Sequence, residues 1–368
     1  MKRAAATAKD SALEPAAKRQ RKAPSFPDDF PDKPLSDKAA LKVAFANGEK
    51  AIGWTDFEPK PAIALLKLAK KIKVGKKIKY SLSQANVEGG FQTAVRRFDN
   101  LAINGGGRGS QQDAAKVVDL GEGLFIGLYD GHGPIEDKID FGYQAASSNC
   151  FGIRSEFSRA INQGYSVPVA FVRAFKEAHE TCLDIHIRER NRDVPRDIFQ
   201  KAGAVAATAY ITKDHIFTAG CGDARIVLVD NGGAKRLTFD HKATKKDIKP
   251  SDKDRVVKAG AYIDDKGYVR VEGAGGLAIP RTIGNLAFGE AISHLPDVFA
   301  YPRGQGKQML VNACDGVWDV LSDQEVADIV NNSPDAATAA EEIIRQAIIK
   351  GSRDNITVQV VWDVQKTV

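Results

Sequence analysis

The chain has 368 residues, 43% of them hydrophobic, and a formal net charge of +6 at pH 7, enough for one large catalytic domain with an appendage or for two modest domains. No run of about 18 apolar residues occurs, and the opening MKRAAATAKDSALEP lacks the apolar centre of a secretory signal, so a soluble, cytoplasmic or nuclear chain without a membrane partner is expected. Cys150, Cys182, Cys221 and Cys314 lie far apart and form no CxxC pair; this argues against a disulfide framework or a zinc knuckle, fits a reducing compartment, and leaves oxygen as the main donor for any metal.

Residues 1–35 are rich in Ala, Pro and charge, with almost no large apolar side chains, which predicts a disordered basic tail. Lys18 to Lys22, KRQRK, with Lys2 and Arg3 upstream, resembles a nuclear-localisation signal, making import machinery a candidate partner and a merely solvated tail the alternative. The tail is also the sole argument for nucleic-acid binding, which is not expected. Residues 36–79 read as an amino-terminal helical extension. Leu65, Leu68, Ala69 and Ile72 fall at i, i+3, i+4 and i+7 with lysines elsewhere, and the segment has no aromatic anchor, so it is expected to pack on or next to the domain rather than on a membrane.

Residues 80–365 read as the main domain. Tyr80 to Val87, Gln92 to Phe98 and Ala114 to Val118 have strand character. The glycines at 105–107 beside Arg108 have no Gly-Lys-Ser/Thr after them and open no helix, so a nucleotide-cradling loop is excluded. Leu124 to Gly133, LFIGLYDGHG, is a near-continuous apolar run of the kind buried on both faces, ending in an acid, a histidine and two glycines. Asp-Gly is also the commonest turn dipeptide, so alone this tip equally suits a turn. Helical periodicity covers Phe141 to Arg159 and Pro168 to Arg190, with His179 and His186 on one solvated face. Ala204 to Ile211, His215 to Gly220 and Ile226 to Val229 predict an antiparallel meander. A polar stretch from Asp240 ends in a short helix, strands follow at Gly267 to Arg270 and Gly275 to Arg281, and Gln308 to Cys314 is an apolar strand. Ala336 to Lys350 is helical, and GSRDNITVQVVWDV closes the chain on a strand.

Asp130, Asp315 and Asp354 thus each stand where a strand begins or ends. If those strands are neighbours in one sandwich, the carboxylates converge, and an all-oxygen acidic set suits Mg or Mn rather than zinc. Two such ions about 4 Å apart, bridged by one carboxylate, activate a water for in-line attack on phosphorus. Arg108 is available to hold phosphate oxygens and His132 to protonate a departing alkoxide.

The order of segments carries more. Arg108-x-x-Gln-Gln-Asp113, YDGHG, GCGDAR, DHK with a later Arg255-Val-Val-x-Ala-Gly, GGLAIPRTIGN, NACDGVWDVLSDQE and GSRDNITVQVV resemble, in sequence order, the signature segments of the metal-dependent protein phosphatase family, type 2C. The resemblance spans roughly Tyr80 to Val364. It implies an α+β fold, a four-layer α-β-β-α sandwich of two antiparallel sheets flanked by helices, with a binuclear Mn or Mg site at one end. It further implies Asp130 bridging both metals, the Gly131 carbonyl as a further ligand, Asp315 and Asp354 as the other carboxylate ligands, and Asp113 bonding metal-held water. Arg108 matches the phosphate-binding arginine, His132 the general acid, and Asp319 a supporting acid or a plain turn residue. The implied activity is hydrolysis of phosphoserine and phosphothreonine in protein substrates by a monomeric enzyme.

Several positions depart from the pattern. Gln112 stands where many members have a glutamate ligand to the second metal, and its neutral amide brings no charge. Ala204 and Val205 replace a Ser/Thr pair, Gln200 lies where some members place an acid for a third metal, Pro280 replaces a serine, and Asn285 replaces an acid. The rival reading is therefore a pseudophosphatase, the same fold kept as a binding or regulatory module with a weakened second metal site.

Overall fold

A computed structural model of the chain describes residues 80–83, 91–98, 111–136, 139–189, 199–304 and 308–363. The expected tail at 1–35 with Lys18 to Lys22, the helical segment at 36–79 and Arg108 lie outside the described residues. The strands are β1 (Tyr80–Ser83), β2 (Phe91–Phe98), β3 (Ala114–Asp119), β4 (Gly123–His132), β5 (Ile135–Glu136), β6 (Ile139–Asp140), β7 (Gly203–Thr212), β8 (His215–Cys221) and β9 (Arg225–Asp230). They continue with β10 (Gly233–Arg236), β11 (Tyr262–Ile263), β12 (Val269–Val271), β13 (Gly275–Leu277), β14 (Ile283–Gly284), β15 (Asp297–Pro302), β16 (Gln308–Ala313) and β17 (Ile356–Asp363). The α-helices are α1 (Phe141–Asn162), α2 (Val167–Glu189), α3 (Pro250–Lys258), α4 (Asp315–Trp318), α5 (Asp323–Asn331) and α6 (Ala336–Ile349).

Two antiparallel sheets carry the domain. One runs β1-β2-β17-β16-β9-β10 and the other β15-β8-β7-β4-β3, with β14 added to β7. The two-residue period of a strand decides what each face meets. Leu124, Ile126 and Leu128 of β4, with Val205 and Ala207 of β7, pack against Ile226, Leu228, Leu310 and Val361 of the other sheet. The alternate residues Phe125, Tyr129 and Tyr210 face outward onto Phe157, Phe171 and Phe175 of α1 and α2. On the far side Val227, Val311, Val358 and Val360 meet Val326, Val330, Ile343 and Ile344 of α5 and α6. The layers are therefore helix, sheet, sheet, helix, and both faces of β4 are covered, as its continuous apolarity requires.

The expected meander is wrong in its third strand. β7 and β8 pair as a hairpin, but β9 leaves them for the opposite sheet, between β10 and β16. Gly222 makes the departure possible: its φ of 105° is in the left-handed region, and a Cβ there would stand 2.1 Å from Val205 Cγ1. Helix α5 was not anticipated, although LSDQE spells its start. Ser322 caps the helix through the Glu325 N–H while the Glu325 side chain accepts from the Ser322 N–H at 2.9 Å, a reciprocal capping box. His179 is not on a solvated face. It stacks on His294, rings 4.3 Å apart, its Nδ1 accepts the Gly284 N–H at 3.3 Å, and burial takes its pKa down to about 4. Among the described residues no helix is long and apolar enough to cross a membrane.

The apolar layer between the sheets is interrupted by polar side chains on β16 and β17. Asn312 Nδ2 donates across the interface to the Ala207 carbonyl at 3.0 Å and to Gln359 Oε1 at 2.9 Å. Gln359 Nε2 donates in turn to the Lys116 carbonyl of β3 at 3.1 Å. Both side chains are fully buried, so each lost partner leaves a buried group unsatisfied. Asn312→Ala should accordingly lower the unfolding free energy by about 2 to 4 kcal/mol in urea denaturation; a cost under about 0.5 kcal/mol would mean that apolar packing alone fixes the sheets.

Candidate metal centre

The acids meet at one end of the sandwich because three strands deliver them from both sheets. β4 lies on β7 with Asp130 opposite Val205 and His132 opposite Gly203, so Asp130 comes two residues before the strand runs out. On the other sheet β16 and β17 are neighbours. Cys314 follows β16 and caps α4, whose first residue is Asp315. Asp354 stands in the turn before β17, its Oδ1 accepting the Asn355 N–H at 2.8 Å. Two hydrogen bonds tie this turn to residues 112 and 113 ahead of β3: the Gln112 N–H donates to Asn355 Oδ1 at 3.1 Å, and Thr357 Oγ1 donates to Asp113 Oδ2 at 2.5 Å.

The glycine of the Asp-Gly-His-Gly tip is a close-approach residue. A Cβ on Gly131 would lie 2.3 Å from the Gly142 carbonyl oxygen and 2.4 Å from that of Gln112. Three backbones thus converge beside Asp130, and a side chain on Gly131 would push them apart.

Electrostatics show how closely the acids gather. Burial first, then the carboxylates of Asp315, Asp113, Asp354 and Asp223, hold the Asp130 carboxyl well above the usual range. Asp315, hydrogen-bonded to Asp130, is pushed up to about 6 by burial and by Asp354 and Asp319. Asp223 is pushed up to about 8 by burial and Asp315, with Lys242 pulling the other way. Asp113 and Asp223 are buried, while Asp130, Asp315 and Asp354 keep partial contact with solvent, so the cluster can be reached from outside. Lys242 ion-pairs with Asp319 at 2.5 Å and lies 3.7 Å from Asp223. Among the described residues one ammonium, that of Lys242, faces these carboxylates and leaves excess negative charge, and the donors are oxygens suited to hard divalent cations. Cys314 Sγ also comes within 4.8 Å of ligand atoms of Asp113 and Asp130. Burial drives its thiol pKa well up, and it hydrogen-bonds the Asn355 carbonyl at 3.3 Å; it behaves as a packed core thiol. The donor set fits Mn or Mg.

Of the residues expected at the site, Asp113, Asp130, Gly131, Asp315 and Asp354 come together, with Gln112 and His132 beside them. Gln112 is 3% exposed, and its Nε2 donates to Asp140 Oδ1 at 2.7 Å and to the Gly133 carbonyl at 3.4 Å. Two acceptors on one side fix which amide atom is nitrogen, so only Oε1 could serve a cation. Asp140 is the N-cap of α1, accepting the Tyr143 N–H, and Gln112 therefore also anchors that helix. Sequence reasoning missed Asp223, whose signal was its place in GCGDAR. It missed Lys242 as well, and left Asn285 as a departure without a contact: Asn285 Oδ1 lies 2.7 Å from His132 Nε2.

The described residues thus form a four-layer sandwich with a cluster of carboxylate oxygens at one end. Comparison with known proteins names the group. The family model Protein phosphatase 2C matches residues 152–356, more than half of the chain and including Asp223, Asp315 and Asp354, with Asp113 and Asp130 just upstream. The chain belongs to this family. It is 32% identical over 242 residues to Probable protein phosphatase 2C 11 of Arabidopsis thaliana, covering 64% of this chain and 57% of that protein. It is 27% identical over 274 residues to Protein phosphatase 1B of Rattus norvegicus, covering 70% and 67%. The fold matches that of a serine-threonine phosphatase 2C from Toxoplasma gondii with a TM-score of 0.61 at 19% identity, over 78% of this chain and 99% of that one. Against the Arabidopsis protein, then, the chain spans little more than half of the relative's length.

Because Asp223 binds its proton far more tightly in the folded protein than in the unfolded chain, the native state holds the extra proton between about pH 4 and pH 8, and stability without metal falls as pH rises through that window. Asp223→Asn removes the penalty. Its melting temperature in chelator should exceed the parent's at pH 8, with the difference shrinking toward pH 4; a variant that is less stable at pH 8 would show Asp223 to be held ionised by Lys242.

Proposed function

We propose that the chain is a metal-dependent protein serine/threonine phosphatase that hydrolyses phosphoserine and phosphothreonine in protein substrates. The observation that carries this reading is the meeting of Asp113, Asp130, Asp223, Asp315 and Asp354 in a member of the protein phosphatase 2C family. Asp130, the Gly131 carbonyl, Asp315 and Asp354 are the residues to hold two Mn or Mg ions, with Gln112 Oε1 a neutral further donor. Such ions supply charge neutralisation at phosphorus and a water that is nucleophilic near neutral pH.

The side chains do the rest. Asp113, fixed by Thr357, orients the attacking water. Arg108 binds the phosphate oxygens in this reading. His132 gives a proton to the leaving serine or threonine oxygen. No side chain need become phosphorylated when water is the nucleophile, and Cys182, Cys221 and Cys314 are buried thiols. Lys18 to Lys22 would direct the protein to the nucleus.

Purified protein should release phosphate from a phosphothreonine peptide only with Mn or Mg present, and Asp130→Ala should lower turnover by a thousandfold or more, because it removes the carboxylate at the centre of the acidic cluster that would hold the ions. Full activity in that variant would sink the binuclear reading.

A second reading is favoured by Gln112, whose donor is committed to Asp140 and Gly133 and which adds no charge: a pseudophosphatase with a weak second site. Gln112→Glu separates the two. It should bind Mn more tightly in calorimetry while losing about 1 to 3 kcal/mol of metal-free stability, since the new carboxylate faces two acceptors. Activity appearing only in the variant would establish the pseudophosphatase.

A further inference from the structure

The DGHG tip and the loop after β14 meet at a point that the metal centre does not explain. Asn285 is 1% exposed and adopts a left-handed backbone, φ 50° and ψ 45°. Its backbone N–H donates to the Ala202 carbonyl at 2.7 Å, and its side-chain Nδ2 donates to the Lys201 carbonyl at 2.8 Å. Because that amide end faces a carbonyl, it is the nitrogen, and the atom 2.7 Å from His132 Nε2 is the oxygen Oδ1. Oδ1 can only accept, so Nε2 carries a hydrogen.

The surroundings hold the arrangement. Gly203 lies opposite both His132 and Gly284 in the sheet, and a Cβ there would fall 2.0 Å from Asn285 Oδ1. Only glycine at 203 lets the amide reach the ring. From the other side, His179 Nδ1 accepts the Gly284 N–H. The left-handed turn alone would be served as well by glycine, so the turn does not account for a fully buried amide bonded at both ends.

We propose that Asn285 is the positioning residue for the proton donor: it fixes the plane of the His132 ring and keeps a hydrogen on Nε2, so that the proton passed to the leaving group is the one on Nδ1. This rests on the phosphatase reading above. In the step, a water oxygen forms a new bond to phosphorus while the bond from phosphorus to the serine or threonine Oγ breaks, its electron pair staying on Oγ. Oγ takes the Nδ1 proton, leaving His132 neutral with hydrogen on Nε2. The proton released by the attacking water returns to Nδ1 through solvent, and the net change is one water consumed.

Two substitutions separate this role from folding. Asn285→Gly keeps the backbone conformation and deletes the amide. Asn285→Asp keeps an acceptor for Nε2–H but loses the donor to Lys201, so it lowers stability without freeing the ring. The first readout is nitrogen NMR of histidine-labelled, metal-free protein at pH 8.5, with the His132 signals assigned by their loss in His132→Gln. Neutral His132 should show hydrogen on Nε2 in the parent and in Asn285→Asp, and a mixture of tautomers in Asn285→Gly. The second readout is kinetic. Asn285→Gly should lose about ten- to a hundredfold in kcat on a phosphothreonine peptide with little change in KM, and far less on 4-nitrophenyl phosphate, whose leaving group hardly needs a proton. In a His132→Gln background the same change should cost nothing further. Equal losses on both substrates, an additive double mutant, or a parent ring with hydrogen on Nδ1 would each overturn the assignment. If the parent shows no turnover, the phosphatase reading fails, and the NMR result still decides whether Asn285 sets the ring.

Discussion

The site exists only because two sheets are locked in one relative register. Asp130 rides on one sheet and Asp315 and Asp354 on the other, so a slip between the layers by a single residue would separate the acids by about 3 Å. Apolar packing is non-directional and cannot set that register by itself. Hydrogen bonds between the sheets can. Asn312 reaches the Ala207 carbonyl and Gln359 the Lys116 carbonyl. Nearer the acids, Asn355 accepts the Gln112 N–H and Thr357 donates to Asp113. Four directional contacts, two deep and two at the rim, draw β16 and β17 onto β3 and β7 at the end where the carboxylates gather.

That gathering is costly to the fold, and the cost shows in the raised proton affinities of Asp130, Asp223 and Asp315. Like charges held together in a shielded place favour the neutral form. Lys242 relieves part of the strain through Asp319 and Asp223, and Arg225, bonded to Asp240 at 3.0 Å and stacked over Trp318, braces the adjoining turn. Neither reaches a balance of charge. The remaining negative charge is what gives the centre its affinity for cations in the proposed reading, so the instability of the cation-free cluster and its binding power have one origin.

Much of this was legible in the chain. Alternation and apolar runs marked most of the strands, the family resemblance implied the four layers, and the acids of YDGHG, NACDG and SRDN were visible because each interrupts or borders a strand. β9 was misplaced because hydrophobic pattern marks a strand without saying which neighbour it takes, and a reversal at Gly222 decides that. α5 was missed although Ser322 and Glu325 spelled its cap. Asp223 and Lys242 were hidden for a different reason: each looks like an ordinary turn residue until the opposite sheet brings Asp315 beside it. Arg108, read from its segment, lies outside the described residues.

Gln112 and Asn285 stand out in the sequence as neutral amides at positions where many relatives by resemblance carry acids. In place, the two share a design. Each uses its amide nitrogen on acceptors, Gln112 on Asp140 and the Gly133 carbonyl, Asn285 on the Lys201 carbonyl. A carboxylate at either position would point an acceptor at an acceptor, and its extra charge would come with a buried unpaired group. The substitutions are therefore not isolated losses of charge. The surrounding backbone and the cap of α1 are built to receive a donor, one amide beside the acids and the other against the ring of His132.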